Sequence, residues 1–316
     1  MIKKTLYFGN PAYLSFQNRQ LVIKKPDSKG DMPDFGYPDT YTLIKTIPVE
    51  DLGIIILDHP QITLTQVLIS NLLDNNCSIV TCDSKHLPTG LLLPLTSNTV
   101  QNERFRSQLE SSLPLKKQLW QQTIQAKIKN QAAMLYYTSG QKHTNMHIWA
   151  NSVKSGDADN VEARAAAYYW KNLLPDKAGF VRGQYEDDPN SLFNYGYAIL
   201  RAIVARGLVG SGLLPTLGIH HHNRYDAYCL ANDIMEPYRP YVDKIVVDIL
   251  QQGFGDSLTL TNKQRLLSIA TEDVLIDGDR RPLMLAVSQT TASLAKCFNG
   301  EQRKLAYPEM NHENTL

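Results

Sequence analysis

Residues 91–135 read LLLPLTSNTVQNERFRSQLESSLPLKKQLWQQTIQAKIKNQAAML, and the character of the chain changes inside this stretch. Up to Leu93 the apolar residues come in short, strand-sized runs. From Val100 the chain is polar and nearly free of proline, and Leu115, Leu119, Ile124, Ile128, Ala132 and Leu135 recur near helical spacing. Pro114 suits the first turn of a helix, where its missing N–H costs nothing. The switch of period predicts an α+β chain: a small β-rich N-terminal domain over residues 1–97, a larger all-helical domain over 98–305, and a frayed tail over 306–316.

Working outward toward the N-terminus, residues 5–8, 13–16, 20–23 and 41–44 are short aromatic and β-branched strands. Asn10-Pro11, Asn18-Arg19 and the stretch 26–38, read as a hairpin tip or loop, interrupt them. Residues 52–57, LGIIIL, have the pattern of a fully buried strand. A helix is expected over 63–73 with Thr63 as N-cap, then strands at 77–82 and 91–93. Toward the C-terminus, helices are expected over 159–174, capped by Asp159 or Asn160, and over 192–207, opened by Ser191 and closed by Gly207. Three more follow at 228–236, stopped at Pro237, at 242–252 and at 262–270.

The chain has 316 residues, enough to bury a core without disulfides, and 32 Lys and Arg against 31 Asp and Glu. That balance excludes a histone-like basic protein but not a local basic face for nucleic acid. Cys77, Cys82, Cys229 and Cys297 form no CxxC pair, so a structural zinc is disfavoured, and their sparse use fits a reducing cytoplasm. The N-terminus is too short and polar for a signal peptide, and no apolar run approaches membrane-spanning length. A soluble, cytoplasmic protein is expected.

The most unusual local composition is His220-His221-His222. Consecutive residues point different ways, so at most one or two of these imidazoles could converge on one ion. Asp233 and Glu236 share a helical face near a C-terminal end, where uncompensated acid is unfavourable. A divalent metal or an arginine such as Arg239 would offset that cost. Glu162, beside the small-residue run of Ala163 and Ala165–167, could face a cleft or simply favour a helix N-terminus. Two carboxylates and an imidazole suit Mg²⁺ or Mn²⁺, and such oxygen-rich sites act on phosphates. On spacing alone such residues are far more often ordinary solvated or hydrogen-bonded surface groups.

Lys116, Lys117, Lys127 and Lys129, with Arg201, Arg206, Arg224 and Arg239, would track phosphates if they shared a surface, or merely keep helices soluble. Tyr195, Tyr197, Tyr225, Tyr228, Tyr238 and Tyr241 could stack on bases or pack internally. The chain lacks a P-loop, a GxGxxG fingerprint, a GxSxG elbow and the zinc-deaminase signature, which weakens those enzyme classes.

Taken in order, DNVEARAA at 159–166, NYGYAILRA at 194–202, LLP at 213–215, LGIHH at 217–221 and LANDIMEPYRP at 230–240 resemble the CRISPR-adaptation integrase family. The likeness runs over roughly residues 3–290, and its GIHH and DIMEPYRP forms look like the branch of type II systems. The resemblance implies a helical catalytic domain in which Glu162, His221 and Glu236 hold Mg²⁺ or Mn²⁺ and carry catalysis, supported by Asp233, His220 and Asn223. Beside it, the basic residues themselves offer Arg201, Arg224 and Arg239 for DNA phosphate clamping or carboxylate orientation, and Lys127 and Lys129 for further DNA phosphate contacts.

The resemblance further implies a homodimer, dimerising through the N-terminal domain. A small ferredoxin-like adaptation partner would complete a heterohexamer, and a type II effector nuclease and an accessory adaptation protein are further candidate partners. The substrates would be double-stranded DNA, both captured prespacer and CRISPR repeat. The expected reaction is attack of a 3′-OH on repeat-edge phosphodiesters, without ATP. A metal-dependent nuclease or branched-DNA resolvase, and a non-catalytic DNA scaffold, are the alternatives.

Overall fold

A computed structural model describes residues 3–26, 41–175, 177, 179–183 and 188–310. The chain divides into two compact units between Ser97 and Asn98. The first holds β1 (Lys4–Phe8), β2 (Ala12–Gln17), β3 (Gln20–Pro26), β4 (Tyr41–Pro48), β5 (Leu52–Leu57), β6 (Ile62–Leu64), α1 (Gln66–Asp74), β7 (Ser78–Cys82) and β8 (Pro88–Leu92). The strands form two four-stranded sheets, ordered β1-β5-β7-β8 and β4-β3-β2-β6. β5 pairs in parallel with both β1 and β7, which explains its unbroken apolar run from Leu52 to Ile56, all buried. Asn18 and Arg19 turn β2 into β3 with φ of 51° and 61°, the paired positive values that match strand twist in a two-residue hairpin. Leu14, Leu21 and Ile47 from one sheet, Leu52, Ile55 and Ile79 from the other, and Leu68 and Leu72 from α1 make one core.

Thr63 is not a cap. It pairs with Tyr13 in β6, and the extended Thr65 instead accepts from the Leu68 N–H to start α1. The sequence reading of 26–38 falls, after Pro26, on residues outside the described ones.

The second unit holds α2 (Gln101–Leu109), α3 (Leu113–Ser139), α4 (Thr144–Ser152), α5 (Val161–Leu173), α6 (Asn190–Gly210), α7 (Cys229–Met235), α8 (Arg239–Gln251), α9 (Leu260–Leu267) and α10 (Leu283–Phe298). Ser112 caps α3, Pro114 lies in its first turn, and Gly140, at φ 68°, ends it. The larger unit is not wholly helical: β9 (Asp273–Ile276) and β10 (Asp279–Pro282) form a hairpin across Asp277-Gly278.

Gly207 does not close α6, which runs on to Gly210. A Cβ at Gly207 would lie 3.0 Å from Val287 Cγ1, and one at Gly196 would lie 2.4 Å from Val242 Cγ1. These glycines let α10 and α8 approach closely. Pro237 likewise does not stop the chain; it sits in a 3₁₀ turn, Glu236–Tyr238, that leads into α8. A proline in a first helical turn removes no helical hydrogen bond. The start of the expected tail is also held: Tyr307 Oη lies 2.9 Å from Thr123 Oγ1, Pro308 O accepts from Asn130, and Glu309 bridges to Leu275.

Candidate active site

Three elements bring the expected site residues together. Glu162 is in the first turn of α5. Neither Asp159 nor Asn160 caps that helix: Asn160 is at the N-cap position with φ 51°, but Asp157 accepts from the Val161 and Glu162 N–H groups at 2.9 and 3.0 Å. Asp159 pairs with Lys154 instead. Glu236, 5% exposed, begins the 3₁₀ turn after α7. Between the two carboxylates lies Lys127 of α3, whose Nζ is 2.6 Å from Glu162 Oε1 and 2.5 Å from Glu236 Oε2. Arg239 Nε flanks the other oxygen, Glu236 Oε1, at 2.8 Å. Burial alone would raise the Glu236 carboxyl, but Arg239 and Lys127 hold it below the usual carboxylate range. Burial would push the Lys127 ammonium down, yet Glu236 and Glu162 hold it above the ordinary lysine range.

The histidine loop hangs on Asp233, which is fully buried in α7. Its Oδ2 accepts from the Ile219 and His220 N–H groups at 2.7 and 3.0 Å. Its Oδ1 accepts from the His221 N–H at 3.2 Å and lies 2.5 Å from His221 Nδ1. Gly218 is required beside it, because a Cβ there would lie 2.3 Å from His221 O and 2.8 Å from Asp233 Oδ2. The Asp233 hydrogen bond outweighs burial and raises the His221 imidazole, with Glu236 and Glu162 adding to the effect. The geometry therefore fixes the Nδ1 side and leaves Nε2 the imidazole atom facing away from Asp233.

His220 turns elsewhere: its ring stacks on Trp120, centroids 4.1 Å apart and planes 1° from parallel, while Trp120 meets His221 edge-on. Burial lowers the His220 imidazole, and His221 adds to this. Asn223 lines the cleft, with its Oδ1 accepting from Tyr225 N–H.

A cleft of about 620 Å³ opens beside these groups, its wall including Lys127, Arg182, Arg201, His221, Glu236 and Arg239. Arg201 lies over the Tyr228 ring. Arg224 is exposed and stacks on Tyr225, and Lys129 is exposed on α3. Of the six tyrosines considered for base stacking, Tyr195, Tyr238 and Tyr241 are buried in the core and Tyr197, also buried, reaches the cleft wall; Tyr225 is 81% exposed and Tyr228 half-buried.

The residues fit a divalent cation by their chemistry. Two carboxylates from separate elements converge on one cationic atom, and Glu236 Oε2 is buried without an aligned hydrogen bond although Lys127 is close. Among the described residues, however, no three His, Cys, Asp or Glu groups are gathered at metal-binding distance. Three contributors carry no sequence signal, Asp157 as the cap of α5, Trp120 as the platform for His220, and Arg182, while Lys127, expected at phosphate, is instead the bridge between the carboxylates. Arg182 packs against Trp170, Phe193 and Tyr197 and donates to Asn190 and Asn194. A lone arginine in a loop carries no spacing signal.

Residues 6–268 match the family model described as CRISPR associated protein Cas1. The chain belongs to the Cas1 family. It is 33% identical over 313 residues to the CRISPR-associated endonuclease Cas1 of Neisseria meningitidis serogroup C (strain 8013), spanning 98% of this chain and 97% of that one. Among solved structures it resembles a casposase bound to integration product, at TM-score 0.77 and 20% identity over 96% of this chain and 92% of that one. It also resembles a chain of a Cas6-RT-Cas1–Cas2 complex, at TM-score 0.72 and 19% identity, over 96% of this chain and 36% of that longer one. These likenesses show a shared Cas1 fold. No helix among the described residues is long and apolar enough to cross a membrane.

Proposed function

We propose that this chain is a metal-dependent DNA integrase and endonuclease of the type II CRISPR branch, inserting short duplex DNA into a CRISPR array. The observation that carries the reading is the convergence of Glu162 and Glu236 on one cation position, with His221 oriented by Asp233 in the same cleft. Membership of the Cas1 family supports integrase or nuclease activity, and the GIHH and DIMEPYRP segments at residues 218–221 and 233–240 support the type II branch.

Mg²⁺ or Mn²⁺ held by Glu162, His221 and Glu236 would neutralise phosphodiester charge and lower the pKa of an attacking hydroxyl. Asp233 keeps the proton of His221 on Nδ1, so that Nε2 offers a lone pair. Arg182, Arg201 and Arg239 give the cleft wall the positive charge that holds phosphates; Arg224 and Lys129 extend it on the exposed surface. The 3′-oxygen of a short duplex bonds to phosphorus at the repeat edge as the existing P–O3′ bond breaks. The proton lost from the attacking hydroxyl is matched by one gained by the departing 3′-oxygen. Bond count is conserved, so no ATP is consumed. With water as nucleophile the same groups perform hydrolysis, the reading favoured by the endonuclease name of the Neisseria relative.

A homodimer through the N-terminal unit is supported by Leu43 and Ile44, 56% and 58% exposed on edge strand β4. A small ferredoxin-like partner, completing a heterohexamer, is supported by the Cas1–Cas2 assembly that the similar complex is named for. The type II reading adds an effector nuclease and an accessory adaptation protein as partners, and a cytoplasmic setting. The test mixes the chain and its small partner with a labelled 3′-OH duplex and a supercoiled repeat plasmid, with Mg²⁺, Mn²⁺ or EDTA. Metal-dependent transfer of label, lost in Glu162→Ala and His221→Ala, is expected; nicking without joined label would overturn integration in favour of hydrolysis.

A further inference from the structure

We propose that Lys127 is a built-in rival of the divalent ion, so that loading the site with metal is an exchange of one cation for another. The inference rests on the metal-site reading above and concerns a residue assigned from sequence only to phosphate contact. Its basis is position. The Lys127 ammonium lies 2.6 Å from Glu162 Oε1 and 2.5 Å from Glu236 Oε2, bridging the two carboxylates expected to ligate metal. The residue is 8% exposed and belongs to the 27-residue helix α3, so it is not a surface side chain that happened to fold inward.

Charge decides what must follow. An ammonium at this spot and a divalent ion on the same oxygens would repel each other at short range in a poorly solvated site. Neither is held beside the other without cost, so the two are alternatives. Lysine suits such a role better than arginine: its charge is a compact point on a flexible four-carbon stem. Lys127 also lines the cleft, which gives the displaced ammonium somewhere to go while remaining near phosphate. The two contacts occupy one oxygen of each carboxylate, Glu162 Oε1 and Glu236 Oε2, so a single ammonium stands where a cation between both acids would sit. Arg239 stays paired with the opposite oxygen, so the exchange need not unpair the whole carboxylate. The consequence is a metal affinity set by competition, weaker than the ligands alone would give, and a protein that keeps its two site carboxylates, buried Glu236 and partly buried Glu162, neutralised between loadings.

The test measures Mn²⁺ binding by titration calorimetry on the full-length wild type, Lys127→Met and Lys127→Gln, with melting temperatures in EDTA and in Mn²⁺. Removing the rival charge is expected to tighten Mn²⁺ binding roughly tenfold or more. The variants should melt lower than wild type in EDTA and gain more from Mn²⁺. Affinity that is unchanged or weaker in a folded variant would overturn the exchange while leaving the metal site standing. Wild type that binds no Mn²⁺ would overturn both. Should neither variant fold, lysine acetylation of wild type read by mass spectrometry replaces them. Lys127 labelling that rises when Mn²⁺ is added supports exchange, and labelling that does not rise refutes it.

Discussion

Replacing Asp233 by asparagine tests how the histidine loop is held. The carboxylate accepts four contacts, two on each oxygen, from Ile219, His220 and His221. An amide has one accepting oxygen. If that oxygen takes the place of Oδ2, it keeps the Ile219 and His220 N–H groups, and the amide NH₂ faces the His221 N–H. The NH₂ then donates to Nδ1, which forces the imidazole proton onto Nε2, the atom needed as a lone-pair donor. The opposite orientation preserves the tautomer but sets the NH₂ against two backbone donors. Either way two hydrogen bonds to a buried charge are lost, at about 1.5–3 kcal/mol each, with one weaker bond regained in the first case. The unfolding free energy should fall by about 2–6 kcal/mol across the two orientations, read by urea denaturation in EDTA. Mn²⁺ affinity should fall by roughly 10–100-fold, the range for losing a group that orients a metal-binding histidine. An Asp233→Asn protein within about 0.5 kcal/mol of wild type, the scatter of neutral surface changes, and binding Mn²⁺ equally well would refute the reasoning.

Three further outcomes are expected. Glu162→Gln should abolish metal-dependent strand transfer in the labelled-duplex assay while leaving the far-ultraviolet circular dichroism of the helices intact. Gly218→Ala drives a Cβ against His221 O and Asp233 Oδ2, so it should cost about 1–3 kcal/mol and lower the melting temperature, with strand transfer falling alongside. Asp243, buried against the Tyr169 and Tyr197 hydroxyls, has its carboxyl pushed by burial from 3.8 up to about 6. The folded state then binds this proton more tightly than the unfolded chain. The contribution is greatest below the unfolded value and is lost as pH rises toward 6, about 3 kcal/mol in all. Urea unfolding from pH 4 to 7 should show this decline relative to Asp243→Asn, and a difference between the two proteins that stays flat with pH would disprove it.

What could be read from the sequence follows from how local each signal is. The run of β5 and the long apolar period of α3 announce themselves because burial on a regular element imposes a pattern on neighbouring residues. The cap of α5 was misplaced because Asp157 reaches it from across a turn in which Gly156, Asp157 and Asn160 all take positive φ. The Gly207 reading failed because glycine serves two purposes: it ends helices, and it admits a neighbouring helix, and only the packing of Val287 tells which. The hairpin of β9 and β10 carried an Asp-Gly turn, but its strands are four residues each, too short to outweigh their helical surroundings. At the candidate site, Glu162, His221 and Glu236 came from family resemblance and not from spacing. Their true neighbours lie far off in sequence, and the Lys127–Glu236 pairing joins α3 to the turn after α7, a separation no periodicity encodes.

The two glycines of α6 bear on what kinds of substrate the cleft can admit. Gripped by α8 at Gly196 and by α10 at Gly207, this helix presents Asn194, Tyr197, Ala198 and Arg201 to the cleft from a wall that has no slack. A bulkier guest cannot be accommodated by sliding α6 outward, because both neighbours already sit at the closest approach that a missing side chain permits. Any give comes more readily from loop residues of the lining such as Asn223 and Asp226, since Arg182 and Gly183 are themselves hydrogen-bonded to α6. The helical part of the cleft thus works as a fixed gauge and the loop at 223–226 as an adjustable jaw, so differences in substrate tolerance among relatives should be sought in that loop before the helices.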